Sequence, residues 1–223
     1  MPTVDPRHSL LLRAVLPPQV LVRETHGTLD EAEALRVLWP EERDVVAQSV
    51  VGRIREFATV RASARELLDE LGVERRAILP DPDRAPRWPP GIVGSMTHCA
   101  GFCGVALARS DDIHALGIDA EPDQELPAGV LDLIALPDER AMLQARSGQS
   151  IAWDRLLFSA KEAVFKAGFT IDRQWRDFVD VRIQVGSDGG FDAVRVSGPA
   201  LPQLVGRWIV GEGLIVTAAV GYP

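Results

Sequence analysis

The sequence predicts an α+β protein of two similar lobes, residues 1–112 and 113–223. Three observations carry that reading. Helical periodicity over residues 30–71 is followed by strand signals, and a second helical stretch from about Ile151 to Ala167 is again followed by strand signals. Between them Arg109-Ser110-Asp111-Asp112 turns the chain.

Taken in order, residues 1–27 read as strand or loop, with Val15-Leu16 and Val20-Leu21-Val22 flanking Pro17-Pro18. Pro40 before Glu41-Glu42 has the form of a helix start, because proline's missing N–H costs nothing at the first helical position. Phe57, Val60, Ala64, Leu67, Leu68 and Leu71 then recur at three- and four-residue spacing before Gly72. They mark a core-facing helix whose other face carries Arg53, Arg61 and Arg65. Five prolines between Leu79 and Gly91 dictate a loop. Ile92-Val93, Phe102 to Leu107 and Leu116 to Glu121 read as strands. A short helical region spans Val130 to Ala145. In the next helix Leu156, Leu157, Ala160, Val164 and Ala167 form the core face, and Gly168 is the expected stop. Strand signals at 179–185, 191–196, 208–210 and 214–220 complete the chain, separated by glycine-rich turns.

A net charge of −8 argues against a nucleic-acid binder, which would show a basic footprint, so any phosphate-handling site must be a local concentration of Arg and Lys. No apolar run approaches the roughly 18 residues of a membrane span, and the N-terminus lacks a signal-peptide layout. The expectation is a soluble cytoplasmic protein. Cys99 and Cys103 cannot make a disulfide scaffold. With His98 they fall short of the four ligands of a closed zinc site, and a cytoplasmic setting favours free thiols.

The chemistry lies in two stretches. In Leu116-Gly117-Ile118-Asp119-Ala120-Glu121 the apolar residues alternate with Gly117, Asp119 and Glu121, which puts both carboxylates on one face of a strand. In Phe158-Ser159-Ala160-Lys161-Glu162-Ala163-Val164-Phe165-Lys166, Glu162 and Lys166 are helical neighbours. Three carboxylates and two lysines suit a Mg2+-assisted attack on a phosphate, since magnesium takes few protein carboxylates and completes its shell with water and phosphate oxygens.

With Gly94-Ser95-Met96-Thr97-His98-Cys99 upstream, the ordered motifs resemble the 4'-phosphopantetheinyl transferases, specifically the two-lobed surfactin-synthetase-activating class in its actinobacterial form. The resemblance runs from about Arg53 to Trp175. It implies a monomer of two α+β lobes related by a pseudo-twofold, with coenzyme A bound in the cleft between them. It also implies transfer of phosphopantetheine to a serine of an apo acyl or peptidyl carrier protein of fatty-acid, polyketide, nonribosomal peptide or siderophore synthesis. Asp119, Glu121 and Glu162 become the Mg2+ (or Mn2+) site, with Glu162 also the general base, while Lys161 and Lys166 offset phosphate charge. Coenzyme A contacts fall on Arg53, Arg61, Ser95, Met96, Thr97 and His98, the last facing the 3'-phosphate. Where relatives carry a lysine before a Trp-Pro pair, this chain offers Arg84 or Arg87 ahead of Trp88-Pro89. Trp175, with Arg173 and Arg176, falls where the family places the pantetheine arm and the carrier.

Each residue also has a plainer reading. Asp119 and Glu121 could be the solvated face of an edge strand, Glu162 and Lys166 a surface pair worth a few tenths of a kcal/mol, and Lys161 a solvated lysine. Arg65, which no motif claims, is assigned to an exposed helix face. His98 alone would be structural, Phe158 and Phe165 are core residues, and Trp175 could equally be packed. The rival functions are a Mg2+-dependent hydrolase of coenzyme A or a nucleotide diphosphate, and a catalytically silent carrier-binding module.

Overall fold

The computed structural model describes residues 10–99, 101–146, 148, 150–173, 177–198 and 203–223. The first half holds α1 (Leu11–Val15), β1 (Leu21–His26), α2 (Glu31–Val37), α3 (Pro40–Val46), α4 (Val51–Glu70), β2 (Ile92–Cys99) and β3 (Phe102–Arg109). The second holds β4 (Ala115–Pro122), α5 (Val130–Ile134), α6 (Pro137–Gln144), α7 (Trp153–Asp172), β5 (Val181–Val185), β6 (Gly190–Arg195), β7 (Val205–Gly211) and β8 (Leu214–Gly221). Two antiparallel sheets result, one ordered β1-β3-β2 and one ordered β4-β8-β7-β6-β5. The architecture is the two-lobed α+β arrangement, each sheet carrying a twenty-residue helix on one face. Among the described residues no helix is long and apolar enough to cross a membrane.

The period-2 pattern of β4 is used on both faces. Leu116, Ile118 and Ala120 join a core with α1, Phe102 of β3 and Val216 and Ala218 of β8, so α1 spans both sheets. Ala115 and Gly117 face α7, whose Ala160, Ala163 and Ala167 are fully buried. Contact there is so close that a Cβ on Gly117 would stand 1.9 Å from the Ala163 carbonyl oxygen and 2.6 Å from the Ala167 nitrogen. The alanines and the glycine together let helix backbone meet strand backbone.

The sheets meet where β2 lies beside β4, and side chains make the join. Ser95 Oγ accepts from the Ile118 amide at 3.1 Å and Thr97 Oγ1 from the Ala120 amide at 3.0 Å. Both hydroxyls are buried, so they satisfy two strand amides that would otherwise cost about 1–3 kcal/mol each.

Three elements depart from expectation. Residues 11–15 are helical, because Glu24 on β1 accepts from the Leu11 and Leu12 amides, a partner that local sequence does not reveal. β2 runs on to Cys99, placing Ser95 to His98 in a strand. α7 passes through Gly168 and ends only where Arg173 turns left-handed at φ 53°, its N–H returning to the Phe169 carbonyl.

A Gly117→Ala chain is expected to lose about 3 kcal/mol or more of unfolding free energy, since backbone rather than a flexible side chain blocks the new methyl. A urea titration with an unchanged midpoint would show that α7 lifts from β4 freely.

Candidate active site

Residues 155, 162 and 166 of α7 are seven and eleven apart, nearly whole numbers of turns, so Arg155, Glu162 and Lys166 lie along one helix face. That face looks onto Asp119 and Glu121 of β4. Lys166 Nζ donates to Asp119 Oδ1 at 2.7 Å and to the Ile118 carbonyl at 3.1 Å. Arg155 Nη1 pairs with Glu121 Oε2 at 2.9 Å, and its other nitrogens reach the Gln124 and Glu125 carbonyls. Thr97 Oγ1 lies 3.3 Å from Asp119 Oδ1, so the seam hydroxyl also touches this carboxylate. Asp119 is buried, not solvated, and its Oδ2 has no partner.

Burial, and then the neighbouring Asp119 charge, raise the pKa of Glu121 against the opposing pull of Arg155. Burial raises Glu162 too, with Lys166 opposing and Asp119 adding. Burial alone would lower Lys166, but Asp119, Glu162 and Glu121 together outweigh it and hold the amine protonated.

The structure places Lys161 apart from this group. Adjacent helical residues diverge by about 100°, so Lys161 points away from Glu162's neighbours and into the lobe. It is fully buried, ion-paired with Glu139 at 2.8 Å, and donates to the Phe178 and Val181 carbonyls at 2.8 Å each. All three of its donors are in use. Glu139 is completed by the Leu136 and Ile183 amides, so the pair ties α6, β5 and the turn at Phe178–Asp180 to α7.

A cleft of about 750 Å3 opens between the lobes, within the range of ligand sites. It is lined by Arg53 and Arg61 of α4, by Arg84 and Arg87 of the proline-rich loop, by Ser95, Met96 and His98 of β2, and by Glu162 and Lys166 of α7. Thr97 faces the seam instead. Arg61 is buried over the Phe57 ring at 3.7 Å, and burial lowers its pKa to about 10. His98 Nε2 contacts Arg53 Nη1, and its Nδ1 lies 3.4 Å from Glu56 Oε2. Beyond Glu162 is a smaller, mainly apolar cavity of about 100 Å3 walled by Val164, Phe165, Phe178 and Val181, with Lys161 and Asp177 also in its lining. Phe165 thus lines both spaces rather than the core, and it stacks on Phe169 at 6.0 Å between ring centroids.

Arg65 is not on an exposed face. It is buried, bonded through Nη1 to both Glu42 oxygens at 2.9 Å and through Nη2 to the Val37 carbonyl. Glu42 also accepts from the Ile78 amide at 2.9 Å, anchoring the start of the proline-rich loop. Cys99 and Cys103 are free thiols, both pushed up to about 12, chiefly by burial. Trp175 and Arg176 lie outside the described residues. Sequence reasoning missed Arg155, Glu56, Glu139 and Glu42. Only Arg155 had a usable signal, its helical register with Glu162.

Among the described residues no three acidic, His or Cys side chains form a ready metal cage, since Lys166 and Arg155 hold Asp119 and Glu121. The donor set nonetheless fits a hard cation that needs few protein oxygens. Asp119 Oδ2 is buried without a partner, and burial raises the pKa of the two nearby carboxyls, Glu121 and Glu162, so all three have reason to take up a cation.

Residues 41–108 match the family model for the 4'-phosphopantetheinyl transferase N-terminal domain, and residues 115–218 match that of the 4'-phosphopantetheinyl transferase superfamily. The chain is 45% identical over 220 residues to 4'-phosphopantetheinyl transferase Svp of Streptomyces mobaraensis, covering 94% of this chain and 89% of that one. It is 42% identical over 221 residues to 4'-phosphopantetheinyl transferase PptT of Mycobacterium tuberculosis, covering 94% and 97%. Enterobactin synthase component D of Salmonella typhi is 33% identical over 133 residues, 59% of this chain and 55% of that one.

A carboxyl whose folded-state pKa is raised keeps its proton to higher pH than in the unfolded chain. Its contribution to stability is therefore greatest at acid pH and is lost as pH rises from the unfolded value through the folded one. Glu162→Gln removes that loss, so the variant is expected to melt higher than the parent at pH 7.5 and level with it at pH 4. Thermal denaturation of the metal-free proteins at the two pH values checks this.

Proposed function

The chain belongs to the 4'-phosphopantetheinyl transferase superfamily and is an enzyme that moves phosphopantetheine from coenzyme A to carrier proteins; from that premise we propose how its own residues do so. The observation that carries the reading is the convergence of Asp119, Glu121, Glu162 and Lys166 at one end of a cleft whose other lining is rich in arginine. On this reading residues 1–112 supply the nucleotide contacts and residues 113–223 the reacting end. Arg53, Arg61 and His98 receive the nucleotide phosphates, with Arg84 or Arg87 reaching from the loop, because a guanidinium forks onto phosphate oxygens. Met96 and Ser95 form the floor. Thr97 acts from the seam by orienting Asp119. The apolar cavity beyond Glu162 suits the narrow, uncharged pantetheine arm.

Asp119, Glu121 and Glu162 would hold Mg2+ or Mn2+, which when bound supplies positive charge to the diphosphate oxygens. Lys166, kept protonated by the carboxylates, turns its charge toward the same oxygens once Asp119 has another partner. A serine hydroxyl is a weak nucleophile, so a base within hydrogen-bond reach must take its proton. Glu162 lines the cleft and supplies the carboxylate that accepts this proton. The serine oxygen then bonds the phosphorus nearer pantetheine, and the departing oxygen carries away adenosine 3',5'-bisphosphate. Lys161 acts as a positioning residue that fixes α7 to β5 through Glu139. The carriers are acyl or peptidyl carrier domains, including those of siderophore assembly in view of the enterobactin synthase relative, met by a monomer in the cytoplasm.

Apo carrier incubated with coenzyme A, Mg2+ and enzyme is expected to gain one phosphopantetheine mass. Chelation should abolish the gain and added Mg2+ restore it. Glu162→Gln and Asp119→Asn are each expected to lower the rate at least about 100-fold, the scale of a general base or a charge-stabilising group. Nucleotide release at the same rate without carrier would support hydrolysis instead, and undiminished transfer by Glu162→Gln would remove that residue from the mechanism.

A further inference from the structure

Glu56 sits among phosphate-binding cations, where a carboxylate is out of place unless it serves them. On α4 it lies three residues after Arg53, with Oε2 3.8 Å from Arg53 Nη1 and 3.4 Å from His98 Nδ1. On the other side of the ring, His98 Nε2 meets Arg53 Nη1. A guanidinium only donates, so Nε2 must accept; the ring hydrogen therefore sits on Nδ1, the nitrogen that lies 3.4 Å from the Glu56 carboxylate, which only accepts. Both neighbours select one neutral tautomer.

We propose that Glu56 makes the Arg53–His98 pair specific for a ligand ending in a phosphate monoester, by holding His98 Nδ1–H so that the ring takes up a proton at Nε2 when that phosphate arrives. The inference rests on the reading of the cleft as a coenzyme A site. A neutral Nε2 presents a lone pair to the incoming oxygens, whereas a protonated one donates. The imidazolium then bridges two anions, the phosphate at Nε2 and Glu56 at Nδ1. Repulsion between Glu56 and the phosphate acts across the ring, while the Nε2–H bond it makes possible is in direct contact.

The charged groups around His98 agree with a ring that is neutral until the ligand binds. Burial, and then Arg53, lower its pKa, with Lys166 of α7 adding and Glu56 and Asp119 of β4 opposing. Cys103, its partner across the β2–β3 ladder, is held as a neutral thiol with a pKa of about 12. A phosphate dianion shifts this balance toward the charged ring. A diphosphate, with one charge per phosphorus, does so less, which is how the pair tells the two ends of the ligand apart.

Titration calorimetry of the full chain at pH 7.5, in two buffers of different ionisation enthalpy, tests this with coenzyme A and with dephospho-coenzyme A. The parent protein is expected to take up about half a proton or more with coenzyme A and none with dephospho-coenzyme A. Glu56→Gln keeps the shape and loses the charge. It is expected to abolish the uptake and weaken coenzyme A about tenfold, with dephospho-coenzyme A unchanged. Proton uptake that is equal for the two ligands, or that persists in Glu56→Gln, overturns the proposal, as does tighter coenzyme A binding by the variant. Any of these leaves the coenzyme A site standing. Failure of the parent to bind coenzyme A at all would sink that reading and this one together.

Discussion

The close approach of α7 to β4 at Gly117 is the constraint on which the chemistry depends. Two carboxylates on a strand and a third on a helix come together only if the two backbones approach nearer than ordinary side chains allow. Gly117, Ala163 and Ala167 supply the missing volume. Once the helix is seated there, its period carries Arg155, Glu162 and Lys166 over Glu121 and Asp119 without further adjustment. Lys161, one residue before Glu162, is turned into the lobe by the same period. The buried pair it makes with Glu139 keeps the helix from rotating about its axis.

The site is built against its own stability. Three carboxylates share a partly buried space with two cations, and burial raises the pKa of Glu121 and Glu162. Such an arrangement persists because the surrounding core is over-determined, with Leu156, Leu157 and Ala160 of the helix itself fully buried. The Thr97 hydroxyl belongs to both parts: it closes the seam at Ala120 and touches Asp119. Lobe association and carboxylate orientation are therefore linked through one oxygen.

The strand at 116–121 and the helix from 153 were legible because both are amphipathic in a simple sense, with one face apolar and the other chemically distinct. The family motifs then supplied the link between them. What was not legible depends on partners far away in the chain. Arg65 looked like one more residue of a basic face because Glu42, which buries it, lies on α3. Residues 11–15 looked irregular because their cap is Glu24 of the following strand. Ser95 and Thr97 were recognised as motif residues, but that their hydroxyls join two sheets follows only from β2 lying beside β4. Helical angle alone separates Lys161 from Lys166, so the sequence carries their difference in direction as well as their shared charge.

The basic side chains of this protein are very unevenly divided: of 24, only Lys161 and Lys166 are lysines, and both lie on α7. One is sealed inside an ion pair and the other opens on the cleft. Apart from the chain terminus, the side-chain amines of the molecule therefore divide into one shielded and one reachable group. Lys166, which the carboxylates hold protonated, is the one that faces the cleft, so it stands there as a fixed positive charge that a ligand entering that end would cover. The arginine-for-lysine bias elsewhere leaves this end of the cleft with a kind of cation that the rest of its lining lacks.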